Sequence, residues 1–188
     1  MSKQYENSST LHEKILKGVD VLADNVASTL GPKGRNVILQ QKGKSPIITK
    51  DGVTIAKFVS LEDPFENAGA QLVKQAASKT NDEAGDGTTT STVLTRAILR
   101  EAQKYLRTGV SPTELKRGMD KAAIAINEYL VSNSRQITSI DDLEHIATIS
   151  ANGDETIGKL VSTAIDQAGK DGAVSIEEAR STDTSLDL

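Results

Sequence analysis

Cysteine and tryptophan are both absent from this 188-residue chain, and aromatic residues make up only 3% of it. Without cysteine there are no disulfides, no thiolate metal sites and no cysteine nucleophile. So few aromatics argue against base-stacking platforms and aromatic ligand cages. A positive excess is lacking too: 22 Lys and Arg stand against 26 Asp and Glu, a net charge of -4. That excludes the basic footprint of a dedicated nucleic-acid binder and disfavours an anionic membrane surface. No apolar run nears the roughly 20 residues that span a bilayer. The opening residues, Ser2 to Thr10, lack the apolar stretch of a signal peptide. A cytoplasmic protein that binds neither nucleic acid nor membrane is expected. Hydrophobic residues at 37% still suffice for a packed core.

What is present is mostly helical in pattern. A short strand is expected near Gln4-Tyr5-Glu6. Leu11, Ile15, Val19, Leu22, Val26 and Leu30 then recur at steps of three and four, one stripe of a long helix. Thr10 and Glu13 read as its capping box. Gly31-Pro32 ends it. Asn36–Leu39 and Pro46–Thr49 read as two strands of a hairpin around the loop Gln41–Ser45. Asp51-Gly52 reads as a turn. A second helix starts near Asp63-Pro64 and stops within Asn81–Gly87. A third runs from the threonine cluster toward Gly109. A fourth opens on Ser111-Pro112-Thr113-Glu114, an N-cap, an N1 proline and a capping acid in sequence. The stripes of these four long helices are expected to meet. Shorter helices follow near Asp141–Ile149 and Asp154–Ala168, with Gly169 as the stop. Val174 and Ile176 alternate as in a strand. The texture changes near residue 134, where a domain boundary is expected.

Three glycine-centred stretches hold the candidate chemistry: Thr29–Gly34, Thr49–Gly52 and Gly85–Thr92. The third carries the most information. Glycines let a backbone approach an anion, and the free N–H groups of a helix's first turn favour phosphate. The hydroxyls from Thr88 onward add donors. Asp86 would repel a phosphate directly, but makes sense with Mg²⁺ between them, a cation that takes one or two carboxylates plus phosphate oxygens. The same residues also read as an ordinary loop and helix cap. A Walker A loop, G-x-x-x-x-G-K-[ST], is absent. A calcium loop over Gln167–Glu178 lacks carboxylates at its ligand positions. His12 and His145 stand alone, and no Ser/His/Asp triad can be assembled.

Taken together, the three stretches resemble the group I chaperonins, of GroEL type. The match runs through Val21–Asp24, Thr29–Val37, Ile48–Val53, Leu61–Asp63, Phe65–Asn67, Gly69–Gln71, Asn81-Asp82 and Gly85–Thr90. It continues through Leu115–Gly118, Thr148–Asn152 and Asp154–Thr156. The resemblance implies a mainly α fold: residues 1–134 as the first segment of an equatorial ATP-binding helical domain with a β-hairpin. Residues 135–188 would be the first segment of a small α+β intermediate hinge domain. An apical domain and the returning segments would lie outside these residues. It implies ATP and Mg²⁺ as ligands, with K⁺ as a further candidate cation. Thr29, Leu30, Gly31 and Pro32 would form the first ATP-contacting stretch, and Lys50 would belong to the second. Asp86 would hold Mg²⁺, with Gly87, Thr88, Thr89 and Thr90 as the phosphate loop. Asp51 would be the catalytic carboxylate that positions water near the γ-phosphate. The implied protein is an ATP-dependent folding chaperone in a ring of identical subunits. Its partners would be unfolded polypeptides and a co-chaperonin, both bound through the apical domain. A second expectation is a short, non-catalytic module that docks on chaperonin subunits through its hairpin.

Overall fold

The computed structural model describes residues 4–151, 153–169, 172–177 and 184–186. Its elements are α1 (Ser8–Ala27), β1 (Val37–Leu39), β2 (Ile47–Thr49), α2 (Gly52–Phe58), α3 (Pro64–Ala84), α4 (Thr88–Arg107), α5 (Pro112–Asn133), α6 (Ile140–Ser150) and α7 (Glu155–Ala168). They form two compact units, Met1–Ala122 and Ala123–Leu188, with the division falling inside α5.

In the first unit the apolar stripe of α1 faces inward. Val19, Leu22 and Val26 are fully buried and pack with Leu39, Ile55, Ala56, Ala70, Val73 and Ala77. Burial of this stripe, not intrinsic propensity, is what holds such a helix. The start of α1 differs from the expected Thr10 box. Asn7 is the cap, and its Oδ1 accepts from the Thr10 N–H at 3.2 Å. Residues 4–6 form no strand; α1 begins at Ser8, after the cap Asn7, and among the described residues no strand pairs with them.

Helices α1 and α3 touch through their backbones. A Cβ on Gly18 would lie 1.7 Å from the Glu66 carbonyl oxygen, and one on Gly69 would lie 2.0 Å from that of Ile15. Glycine at both crossings is therefore a matter of space. Ion pairs frame the crossing: Lys14 to Asp63 at 2.9 Å, and Lys17 to Glu66 at 2.5 Å. Asp63 also caps α3, accepting from the N–H groups of Phe65 and Glu66. The Lys14 ammonium, followed by these backbone donors, holds the Asp63 carboxyl below its ordinary range. On the other side, Arg100 Nε donates to Asp20 at 2.8 Å and Arg96 pairs with Asp24, joining α4 to α1.

The hairpin is antiparallel, with Val37 opposite Thr49, Ile38 opposite Ile48 and Leu39 opposite Ile47. Leu39 is buried, whereas Ile38, Ile47 and Ile48 are exposed.

Two expectations fail here. Asp51-Gly52 is not a plain turn; it opens α2. The stripe of α5 does not join the others: α5 buries no residue, and Met119, Ile124, Ile126, Tyr129 and Leu130 are all exposed. An amphipathic pattern marks a face that can be buried, but not what covers it.

In the second unit α6 packs on α7. Gly158 lets them close, since a Cβ there would lie 2.0 Å from Thr148 Oγ1. Ser139 caps α6 and Asp154 caps α7. Gly169, with φ 71°, follows α7 as expected. Residues 172–177 form no strand, contrary to the alternation at Val174 and Ile176. Strand pairing needs a partner edge, and no other strand occurs among the described residues of this unit.

Candidate functional site

The second and third glycine-centred stretches come together at the starts of α2 and α4, beside Val26 in the last turn of α1, which leads into the first stretch. Gly52, the first residue of α2, marks the meeting point. The space its Cβ would fill is bounded by Thr89 Oγ1 at 2.6 Å, Thr88 Oγ1 at 3.0 Å and Val26 Cγ1 at 3.2 Å. Val26 sits in the last turn of α1, just before Thr29.

The first stretch is a tight chain reversal. Thr29 Oγ1 donates to the Val26 carbonyl at 2.8 Å. Gly31 adopts φ 74°, and the Gly34 N–H returns to the Gly31 carbonyl at 2.9 Å. Thr29 is half-buried, while Leu30, Gly31 and Pro32 are exposed.

The second stretch leaves β2 and enters α2. Lys50 is exposed. Asp51 is the N-cap of α2. Its Oδ2 accepts from the Thr54 N–H at 2.8 Å and from the Thr54 hydroxyl, and its Oδ1 accepts from the Val53 N–H at 3.3 Å. A carboxylate has about four lone-pair sites. Oδ1, with one long bond, is the oxygen with capacity left for water or another donor.

The third stretch joins α3 to α4 through two left-handed glycines, Gly85 at φ 71° and Gly87 at φ 84°. Side chains rarely adopt this region, so glycine is needed at both. Between them Asp86 is exposed, and its Oδ1 accepts from the Gly87 N–H at 2.6 Å. Gly87 is the N-cap of α4 and has no side chain to offer, and the first turn of α4 contains no acid. Each of the other six described helices has a side-chain cap or an acidic residue in its first turn. No side chain caps the first turn of α4 and no acid lies within it, so its first N–H groups are available beside the Asp86 carboxylate. Within the threonine run, the hydroxyls of Ser91 and Thr92 are spent on the Thr88 carbonyl, at 3.0 and 2.9 Å. Thr88 and Thr89 instead face Gly52, and Thr90 is exposed.

These residues fit a magnesium-bound polyphosphate. The uncapped first turn and the threonine hydroxyls are donors, and the exposed Asp86 carboxylate is a hard oxygen ligand beside them. Among the described residues no three Asp, Glu, His or Cys side chains gather into a metal cluster. Mg²⁺ asks for less, taking one or two carboxylates and completing its shell with phosphate and water.

The sequence matches the model of the TCP-1/cpn60 chaperonin family over residues 22–186, most of its length. The chain belongs to that family. Among solved structures it is similar to a group III chaperonin in the open state, with a TM-score of 0.71 and 29% sequence identity. The match covers 84% of this chain and 32% of that one, so these residues span about a third of the solved chaperonin chain. The fold, mainly helical with a small hairpin, matches the equatorial domain of a chaperonin.

Sequence reasoning missed α2, and with it the place of Gly52 in this chaperonin chain. A signal was present: Asp51 is a good N-cap, and Val53 and Ala56 lie on one helical face. Val53, Thr54 and Ile55 are β-branched and obscured it. Among the described residues no helix is long and apolar enough to cross a membrane.

Proposed function

We propose that this chain is the nucleotide-binding first part of a group I, GroEL-type chaperonin subunit, an ATP-driven chaperone that assists protein folding. The observation that carries the reading is the start of α4, which alone among the described helices has neither a side-chain cap nor an acid in its first turn. A sequence that gives each of its other described helices a side-chain cap or a first-turn acid, and this one neither, reserves these donors for an external anion.

In this reading Gly87, Thr88, Thr89 and Thr90 cradle phosphate, and Asp86 holds Mg²⁺. Thr29–Pro32 and Lys50 contact the nucleotide from α1 and β2. Asp51 orients the attacking water through its less-used oxygen. When bound, Mg²⁺ neutralises phosphate charge. K⁺ is a candidate for a second cation. Residues 1–134 form the first equatorial segment and 135–188 the first intermediate segment. The subunits assemble as a ring in the cytoplasm, and unfolded polypeptides and a co-chaperonin are engaged elsewhere in the subunit. The exposed Ile38, Ile47 and Ile48 suit the hairpin to pairing with a neighbouring subunit, since two strands alone are marginal.

Asp51→Asn tests the catalytic assignment in the full-length protein. Asparagine keeps an oxygen to cap α2 but loses the charge. We expect ATP turnover to fall by about 10²-fold, the scale of a positioned acid–base group, with ATP affinity nearly unchanged. Asp51→Ala should in addition lose about 1 kcal/mol of stability with the cap. Equal losses of binding and turnover in Asp51→Asn would count against this role.

A further inference from the structure

We infer that Gly52 is a positioning residue for the threonine hydroxyls at the start of α4, and that the site uses its missing side chain rather than its backbone freedom. The inference rests on the reading of Gly87–Thr90 as the phosphate loop.

Gly52 is buried and is the first residue of a regular helix. It is not among the positive-φ glycines, so its backbone makes no demand for glycine. On helix propensity alone, alanine would be better there. Space forbids it. The added methyl would stand 2.6 Å from Thr89 Oγ1 and 3.0 Å from Thr88 Oγ1.

The methyl has nowhere else to go. Val26 Cγ1 would lie 3.2 Å from the same methyl, and Val26 is fully buried in the core. The first turn of α2 is held by the three donors on Asp51. The parts that can yield are the Thr89 hydroxyl, by rotation about χ1, and the first turn of α4. Either movement shifts phosphate donors relative to Asp51, which adjoins Gly52 in the chain. The absent Cβ therefore sets the spacing between the water-positioning carboxylate and the phosphate-binding hydroxyls.

The test is a double-mutant cycle in the full-length protein: wild type, Gly52→Ala, Thr89→Ala and the pair. Affinity for a non-hydrolysable ATP analogue with Mg²⁺ is read by calorimetry, and the unfolding midpoint is read alongside. We expect each single substitution to weaken binding about tenfold, the worth of one hydrogen bond to a charged group. In the Thr89→Ala background Gly52→Ala should cost much less, because the nearer of the two oxygens, the one at 2.6 Å, is gone. Wild-type affinity in Gly52→Ala would overturn the inference, as would an equal loss in both backgrounds. Coupling seen in the unfolding midpoint but not in affinity would reduce Gly52 to a packing residue. So would a Gly52→Ala protein that fails to fold while the pair folds. Failure of the phosphate-loop reading shows itself differently, as wild type that binds no nucleotide or Thr89→Ala that binds like wild type, and either result takes the positioning role with it.

Discussion

Asp86→Ala in the full-length protein is expected to lower magnesium-dependent ATP hydrolysis by on the order of 10²-fold or more, the scale on which one preorganised electrostatic partner acts. Asp86 lies exposed between two left-handed glycines, beside the uncapped start of α4. Its contact with the Gly87 N–H already aims the carboxylate at that helix end. A bare carboxylate there would repel phosphate. Its presence is reasonable only with a cation between them. Removing it should therefore have opposite consequences with and without magnesium. With Mg²⁺, turnover collapses and nucleotide affinity falls. In chelator, where Asp86 contributes only repulsion, affinity should hold or rise slightly. Steady-state hydrolysis together with nucleotide titration in both conditions checks this. Undiminished hydrolysis by Asp86→Ala would remove Asp86 from the site.

The second large effect concerns the scaffold. Gly69→Ala in the 188-residue chain should cost about 3 kcal/mol or more, the upper end for an overpacked core, and Gly18→Ala should do the same. The obstacles are the carbonyl oxygens of Ile15 and Glu66, which cannot rotate aside as a side chain does. To admit a methyl, α1 and α3 must move apart. Val19, Leu22, Ala70 and Val73 would then lose packing together. Gly118→Ala is the matching control. Gly118 lies within α5 with nothing near its would-be Cβ. There alanine should stabilise by up to about 1 kcal/mol through helix propensity. Urea unfolding of the three variants measures all of this. A loss at Gly69 no larger than 1 kcal/mol would contradict the close crossing of α1 and α3.

How much of this was legible in the sequence depends on the range of the interaction involved. The stripe from Leu11 to Leu30 and the start signal at Ser111-Pro112 are local, and both helices form where those signals lie, except that α1 stops at Ala27 and leaves Leu30 beyond it and exposed. The hairpin was readable because its strands and polar loop adjoin. α2 was not, since three β-branched residues in its first turns masked a cap whose worth depends on the packing of Ile55 and Ala56 into the core. The strand expected at Val174 and Ile176 failed for a related reason: alternation describes a half-buried surface, and pairing needs an edge that no described residue nearby supplies. At the site, the types and order of the residues from Gly85 to Thr92 announced an anion-binding helix start. Their closeness to Gly52 could not be read. It depends on α1, α2 and α4 meeting, contacts made across long stretches of chain.

The most direct measurement is a structure of the full-length protein with Mg²⁺ and a non-hydrolysable ATP analogue. The account predicts phosphate oxygens on the backbone N–H groups at Thr88, Thr89 and Thr90, the metal on Asp86, and Asp51 facing the terminal phosphate. Phosphates bound away from the start of α4, or a metal held without Asp86, would contradict it.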